Sequence, residues 1–250
     1  MAKQEHVDAL RGGIVDWNNW RRSNPGVTPD FVGANLTGID ISRFDLSGAN
    51  FQNSNLQTAD IKGANLSGAD LRTMDLAQAD LKGANLRGAD FTKARLPQAD
   101  LRNANLNGAC FENALMNGVN FTLMEFFEVN FSGADLQGVN LSGNDLRRAR
   151  FEGAKLNNAT LTECNFSSQN LSGADLSGAN ATLSNLIGTT LSGAKLSRVN
   201  FLNAELNEAV ITDADIRDGV FIGASLRYAN LSRSHLLGAN LTDADLTGAN

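Results

Sequence analysis

The sequence is poor in the residues that carry most enzyme chemistry. Its 250 residues include two His, two Cys, three Pro, one Tyr and two Trp. Two His and two Cys, far apart in the chain, do not make a Cys/His zinc cluster. Two Cys also make no disulfide scaffold, which points to a reducing compartment. No stretch approaches the roughly 18 consecutive apolar residues of a membrane-spanning helix. The opening Met1-Ala-Lys-Gln-Glu-His-Val-Asp8 lacks the basic-then-apolar order of a secretion signal. With 27 acidic and 21 basic residues the net charge is -6, a weak basis for wrapping nucleic acid by counterion release. These absences predict a cytoplasmic protein with no cofactor, no metal, no membrane contact and no direct nucleic-acid partner.

What is present is a strict repeat. From Phe31 every fifth residue is large and apolar (Phe31, Leu36, Ile41, Leu46, Phe51 and onward to Leu246), 44 positions without an insertion or deletion. Ala181 alone is small, and Met116 is the other departure from Leu, Ile or Phe. Ala fills 28 of the 44 positions from 34 to 249, and Asn or Asp fills 30 of the 44 from 35 to 250, so the unit reads Ala-Asp/Asn-Leu-Ser/x-Gly/x. A period of five matches neither the 3.6 of a helix nor the 2 of a strand. It suggests a chain that turns a corner once per unit, with Asx and Gly supplying the corners. A disordered segment would not hold so many bulky apolar residues in register.

This segment resembles the pentapeptide repeat family, and the resemblance covers Phe31 to Asn250. It implies an all-β fold: a right-handed quadrilateral β-helix, a solenoid of about 11 coils with 20 residues per coil, the central residue and the small residue pointing inward. Read at a period of 20, one column of centres holds Phe31, Phe51, Phe91, Phe111, Phe131 and Phe151, with Leu at position 71 between them. The small inward position departs from Ala at Val119, Met124, Val129 and Val139, which predicts a locally repacked interior over residues 119–139. Asn144, Cys164 and Gln169 at the same position each need a partner.

Outward positions form rows at the same period. Asp40, Asp60, Asp80 and Asp100 share one sign, and Lys62, Lys82 and Arg102 run two residues past them. This acidic stripe against a basic stripe is the candidate partner-binding face, with mutual neutralisation as its bland reading. A second basic cluster is Arg147, Arg148, Arg150 and Lys155. Another row alternates in sign over its later half (Asp135, Lys155, Asp175, Lys195, Asp215), which reads as surface stabilisation.

Residues 1–30 lie outside the repeat and are expected to form an N-terminal helical cap and linker ahead of the repeat domain 31–250. Val7, Leu10, Ile14, Trp17 and Trp20 fall near one side of one or two short helices between Gln4 and Arg22. Such a segment would cover the open end of the first coil. Trp17-Asn-Asn-Trp-Arg21 ahead of Pro29-Asp-Phe31 resembles N-terminal caps of bacterial, notably cyanobacterial, pentapeptide repeat proteins. The last ten residues are pure repeat, which predicts either a longer natural chain or a homodimer through the C-terminal coil.

No Ser, Cys and His come together in the pattern of a nucleophile and its base, so no enzyme activity is expected. The leading functional expectation is a noncatalytic structural or protein-binding solenoid whose flat outer faces contact a protein partner. The alternative, also from the resemblance, is a DNA-mimicking protein that binds or protects a type II topoisomerase. The repeat region, with 23 acidic and 17 basic residues interspersed, lacks the dense single-sign surface that phosphate mimicry wants.

Overall fold

Most of the described pentapeptides close the same turn. The carbonyl of the central residue accepts the N–H three residues on: Phe31 from Ala34 at 2.9 Å, Phe51 from Ser54 at 3.0 Å and Leu171 from Ala174 at 3.0 Å. The second residue after the centre takes a left-handed φ, 70° at Gly33 and 65° at Gly48. Asn or Asp before the centre completes the corner, because its side-chain oxygen accepts the N–H two residues on. Asp30 accepts from Val32 at 3.1 Å, Asp40 from Ser42 at 2.9 Å and Asn50 from Gln52 at 3.0 Å. The prevalence of Asx in the repeat therefore has a backbone cause.

The left-handed position is not reserved for glycine, and β-branched residues there are strained. Thr58 sits at φ 56° on the surface. Thr58→Gly is expected to stabilise the protein by about 1 kcal/mol, relief of strain outweighing the added chain entropy. Urea denaturation checks this, and a lowered midpoint would refute it.

A computed structural model describes residues 2–121 and 124–250. In it, pentapeptides twenty residues apart lie one above another. The central N–H donates forward, as from Phe51 to Asp70 O at 2.7 Å, and the residue before the centre donates back, as from Asn50 to Pro29 O at 2.8 Å. The contacts are single-residue parallel bridges: Asp30 with Asn50, Asn50 with Asp70, Asp70 with Asp90.

The expected all-β class is corrected by this arrangement. Among the described residues there is no β-strand, no sheet and no barrel, only two short helices, hydrogen-bonded turns and isolated bridges. A strand needs several consecutive extended residues. Here a left-handed residue enters nearly every described pentapeptide, so extension ends before a strand begins. The right-handed quadrilateral β-helix, or solenoid, is therefore not what the chain forms. The functional readings that required that shape fall with it. These were a solenoid presenting flat outer faces to a partner, and a DNA-mimicking topoisomerase protector.

The chain divides into two compact units, Met1–Asn120 with Phe127–Asn130, and Phe121–Phe126 with Phe131–Asn250. In the first, Phe31 stacks on Phe51 and Phe91 on Phe111, both at 4.6 Å between ring centres. Ala lines the remaining interior, which lets large and small side chains alternate at close packing. In the second, Phe121, Phe126 and Phe131 meet edge to face at 5.6–5.7 Å, and Phe131 stacks on Phe151 at 5.3 Å. The expected repacking over 119–139 falls partly on residues 122 and 123, outside the described residues.

Polar residues at the small inward position find partners. Asn144 donates to the carbonyls of Phe121 at 2.8 Å and Leu141 at 2.7 Å and accepts from Met124 N–H at 3.0 Å. The Cys164 thiol reaches Leu141 O at 2.9 Å, and its burial pushes its pKa up to about 12. It is a small buried hydrophobe rather than a nucleophile. Gln169 is half-buried and donates to Arg147 O. Ser54, Ser184 and Thr189 are buried in the same way, each donating its hydroxyl to a backbone carbonyl.

Two helices precede the repeat, α1 (Gln4–Arg11) and α2 (Ile14–Ser23). Val7, Leu10, Trp17 and Trp20 are buried, but Ile14 is 40 % exposed. Gly13 at φ 91° breaks the helix, so α2 restarts with a new phase and Ile14 leaves the apolar side. Trp17 Nε1 donates to Asp45 O at 2.8 Å, Lys3 N–H to Asp30 O at 3.2 Å, and Arg11 to Asn35 O at 3.0 Å. These contacts set both helices against the first repeats.

Candidate functional site

The Asp row is assembled by backbone pairing. Asp40 bridges Asp60, Asp60 bridges Asp80, and Asp80 bridges Asp100, so four like charges stand in successive layers. Each also anchors its own turn: Asp80 accepts from Lys82 N–H and Asp100 from Arg102 N–H, both at 3.2 Å. That turn sets the side chain two residues on beside the carboxylate, a cation after Asp60, Asp80 and Asp100 and Ser42 after Asp40.

The two stripes interlock. Lys62 Nζ lies 2.8 Å from Asp60 and 3.3 Å from Asp80. Lys82 Nζ lies 3.4 Å from Asp80 and 3.0 Å from Asp100. Arg102 closes the row on Asp100 at 2.7 Å. Each lysine thus spans two layers and screens the repulsion between their carboxylates. Lys62 is held protonated above its ordinary range by Asp60 and Asp80. The Arg102 guanidinium, with Lys82, holds Asp100 far below the usual carboxylate range. At Asp80 burial pushes upward, but Lys82 N–H and the two ammonium groups outweigh it, and the net shift is down. Pairs this exposed contribute little stability each.

The second basic cluster is dispersed. Arg147 is engaged by Asp145 at 2.7 Å and Lys155 by Asp135 at 3.6 Å. Arg148 lies in the turn after Leu146, Arg150 precedes Phe151 and Lys155 precedes Leu156. The four therefore belong to three successive pentapeptides rather than one row. The six Phe of the named column are all fully buried and present nothing to a partner.

Two features were missed by reading charges alone. Asp45, Asn65 and Asn85 form an amide ladder, Asn65 donating to Asp45 and Asn85 to Asn65, each at 3.0 Å. Arg21 of α2 pairs with Asp45 at 3.7 Å, tying the helix to that ladder. A period-20 reading of positions 45, 65 and 85, all Asx, was the available signal. The other is His6, a buried residue of α1 whose Nδ1 accepts the Asp30 N–H at 2.8 Å.

No catalytic centre is present among the described residues. No group of three or more His, Cys, Asp and Glu is arranged to hold a metal ion, and both cysteines are free. The described concavities are open surface grooves, such as one of about 380 Å³ between Asp215, Arg217, His235 and Leu237. There Asp215 is already committed to Arg217 through two bonds of 2.7 Å. No described helix is long and apolar enough to cross a membrane.

Comparison with known proteins gives the lineage. No curated protein matches the chain. HetL, involved in heterocyst differentiation regulation in the cyanobacterium Nostoc sp. strain PCC 7120, is 31% identical over 92% of this chain and 94% of its own, with a TM-score of 0.48. Rfr23 from the cyanobacterium Cyanothece 51142 is 24% identical over 48% of this chain and 86% of its own, with a TM-score of 0.37. QnrB1, a plasmid-mediated fluoroquinolone resistance protein, is 22% identical over 86% of this chain and 88% of its own, with a TM-score of 0.31. The family described as pentapeptide repeats matches in eight copies, from residues 30–68 through 220–250. Those matches leave only 123–124 uncovered between 30 and 250, so the chain belongs to the pentapeptide repeat family.

Proposed function

We propose a noncatalytic protein-binding role, exercised through the interlocked row of Asp40, Asp60, Asp80, Asp100, Lys62, Lys82 and Arg102. The observation that carries this reading is the sharing of charge: Lys62 and Lys82 each divide between carboxylates of two layers. The ends of Lys62 and Arg102 stay about half exposed, at 48% and 55%. A partner with alternating charge can exchange these internal pairs for intermolecular ones without burying net charge, which favours specificity over raw affinity. The division into a helical cap and linker (1–30) and a repeat region (31–250), and a cytoplasmic location, belong to the same reading.

The test is a pull-down from the source cell with wild type and the triple variant Lys62→Ser, Lys82→Ser, Arg102→Ser. Proteins retained by wild type should be lost by the variant while its denaturation midpoint stays close to wild type. Equal recovery would remove the row from consideration.

Self-association through the last repeat layer is the finer reading for partners. Leu246 is 42% exposed and Leu236 and Leu241 are partly exposed, whereas centres of the preceding layers are buried. A dimer mass by light scattering that falls to monomer in Leu241→Lys supports it, and a monomer in both rules it out.

A further inference from the structure

We propose that His6 is a pH-sensitive latch. When neutral it fastens the helical cap to the first repeat layer, and when protonated it lets the cap go.

His6 is one of two histidines in the chain and is only 3% exposed. Its Nδ1 accepts the backbone N–H of Asp30 at 2.8 Å, at the last residue before the repeat begins. That bond fixes the tautomer, because Nδ1 must be bare to accept. Protonation places an N–H against an N–H, turning the attachment into a repulsion inside a buried contact. The ring also lies 4.6 Å from Trp20 of α2 and 6.5 Å from Phe31 at the head of the Phe column. One side chain therefore joins α1, α2, the linker and the first repeat.

The charges around the ring do not rescue the cation. Lys3 disfavours the charged ring, and Glu5 and Asp30 favour it. Glu5 is itself engaged by Trp20 Nε1 at 3.0 Å. Trp20 and Phe31 bring no titratable group. Burial, followed by Lys3, moves His6 below its ordinary value against the pull of Glu5 and Asp30. The neutral ring favours the docked cap fully above the pKa of an exposed His, about 6.5. That contribution is lost progressively as pH falls from there toward the lower docked value. Release uncovers Phe31 and frees the Asp30 N–H, so acidification would bare the first layer.

Both tryptophans, Trp17 and Trp20, lie in the cap and are buried, so their emission reports docking alone. Wild-type emission should shift to the red between about pH 7.5 and about pH 5, a range that leaves most carboxylates ionised. His6→Asn keeps an acceptor oxygen near the Nδ1 position and does not titrate, so its emission should stay blue throughout. A flat wild-type profile, or the same transition in His6→Asn, would overturn the latch. If His6→Asn is red-shifted at every pH, the imidazole ¹⁵N signals decide, measured in a His235→Gln background. A bare Nδ1 at about pH 7.5 that gains its proton together with the wild-type Trp transition supports the latch. A protonated Nδ1 at that pH, or a proton gained without the transition, refutes it.

Discussion

Phe91→Ala should lower the stability of the first unit by about 3–5 kcal/mol. Phe91 is fully buried and stacks on Phe111 at 4.6 Å with the rings nearly parallel, 13° apart. Removing the ring forfeits its transfer free energy, leaves a cavity and abolishes the stack, which adds about 0.5–1.5 kcal/mol beyond area. The surrounding layers cannot collapse to fill the gap. Their spacing is fixed by backbone bonds such as Phe91 N–H to Cys110 O at 2.7 Å and Leu71 N–H to Asp90 O at 2.8 Å. Phe91→Leu should cost roughly 1–1.5 kcal/mol, because Leu71 already occupies the same column one layer away. Chemical denaturation followed by amide exchange of residues 71–111 separates a local loss from a global one. A Phe91→Ala cost below about 1 kcal/mol would mean that the column does not carry the interior.

The second large effect is expected at Asn144. Asn144→Leu keeps the volume but removes the amide that serves Phe121 O, Leu141 O and Met124 N–H. Leu141 O retains other donors, Asn144 N–H at 3.3 Å and the Cys164 thiol at 2.9 Å. Phe121 O and Met124 N–H lose the side chain that joins them, and the expected cost is about 2–4 kcal/mol in the second unit. Ser54→Ala is the contrast. Ser54 Oγ donates to Phe51 O, which the Ser54 N–H already serves at 3.0 Å, so the loss should stay near 1 kcal/mol or below. Urea midpoints of the two variants make the comparison. Equal losses would show that the amide contributes no more than a duplicate bond.

The repeat itself was legible in the sequence, because a bulky centre every fifth residue with Asx before it leaves little freedom in reading. Why Asx is preferred was not, since the repeat does not reveal that the side-chain oxygen closes the turn. The class went wrong for a physical reason. Periodicity locates inward residues, but it does not distinguish a residue that bridges singly from one inside a strand. The left-handed residue in nearly every described pentapeptide, as at Gly33 and Thr58, decides that question.

The face of the first helices was half legible. Val7, Leu10, Trp17 and Trp20 are buried, but Ile14 lies across the break at Gly13, where continuous helical spacing no longer applies. His6 gave no signal, because one histidine among apolar neighbours looks the same whether it packs or latches. At the candidate face, residue identities located the Asp and Lys rows, while the division of each lysine between two layers depends on rotamers no repeat pattern encodes.

Turns and single bridges, not strands, hold the pentapeptides in a twenty-residue register. Hydrogen-bond scalar couplings between ¹⁵N and ¹³C′ in deuterated protein test it most directly. The Phe51 N–H should couple to the carbonyl of Asp70, the Ser54 N–H to that of Phe51, and the Asn50 N–H to that of Pro29. Couplings running unbroken along consecutive residue pairs, as in a strand ladder, or a Phe51 N–H paired outside this register, would contradict the account.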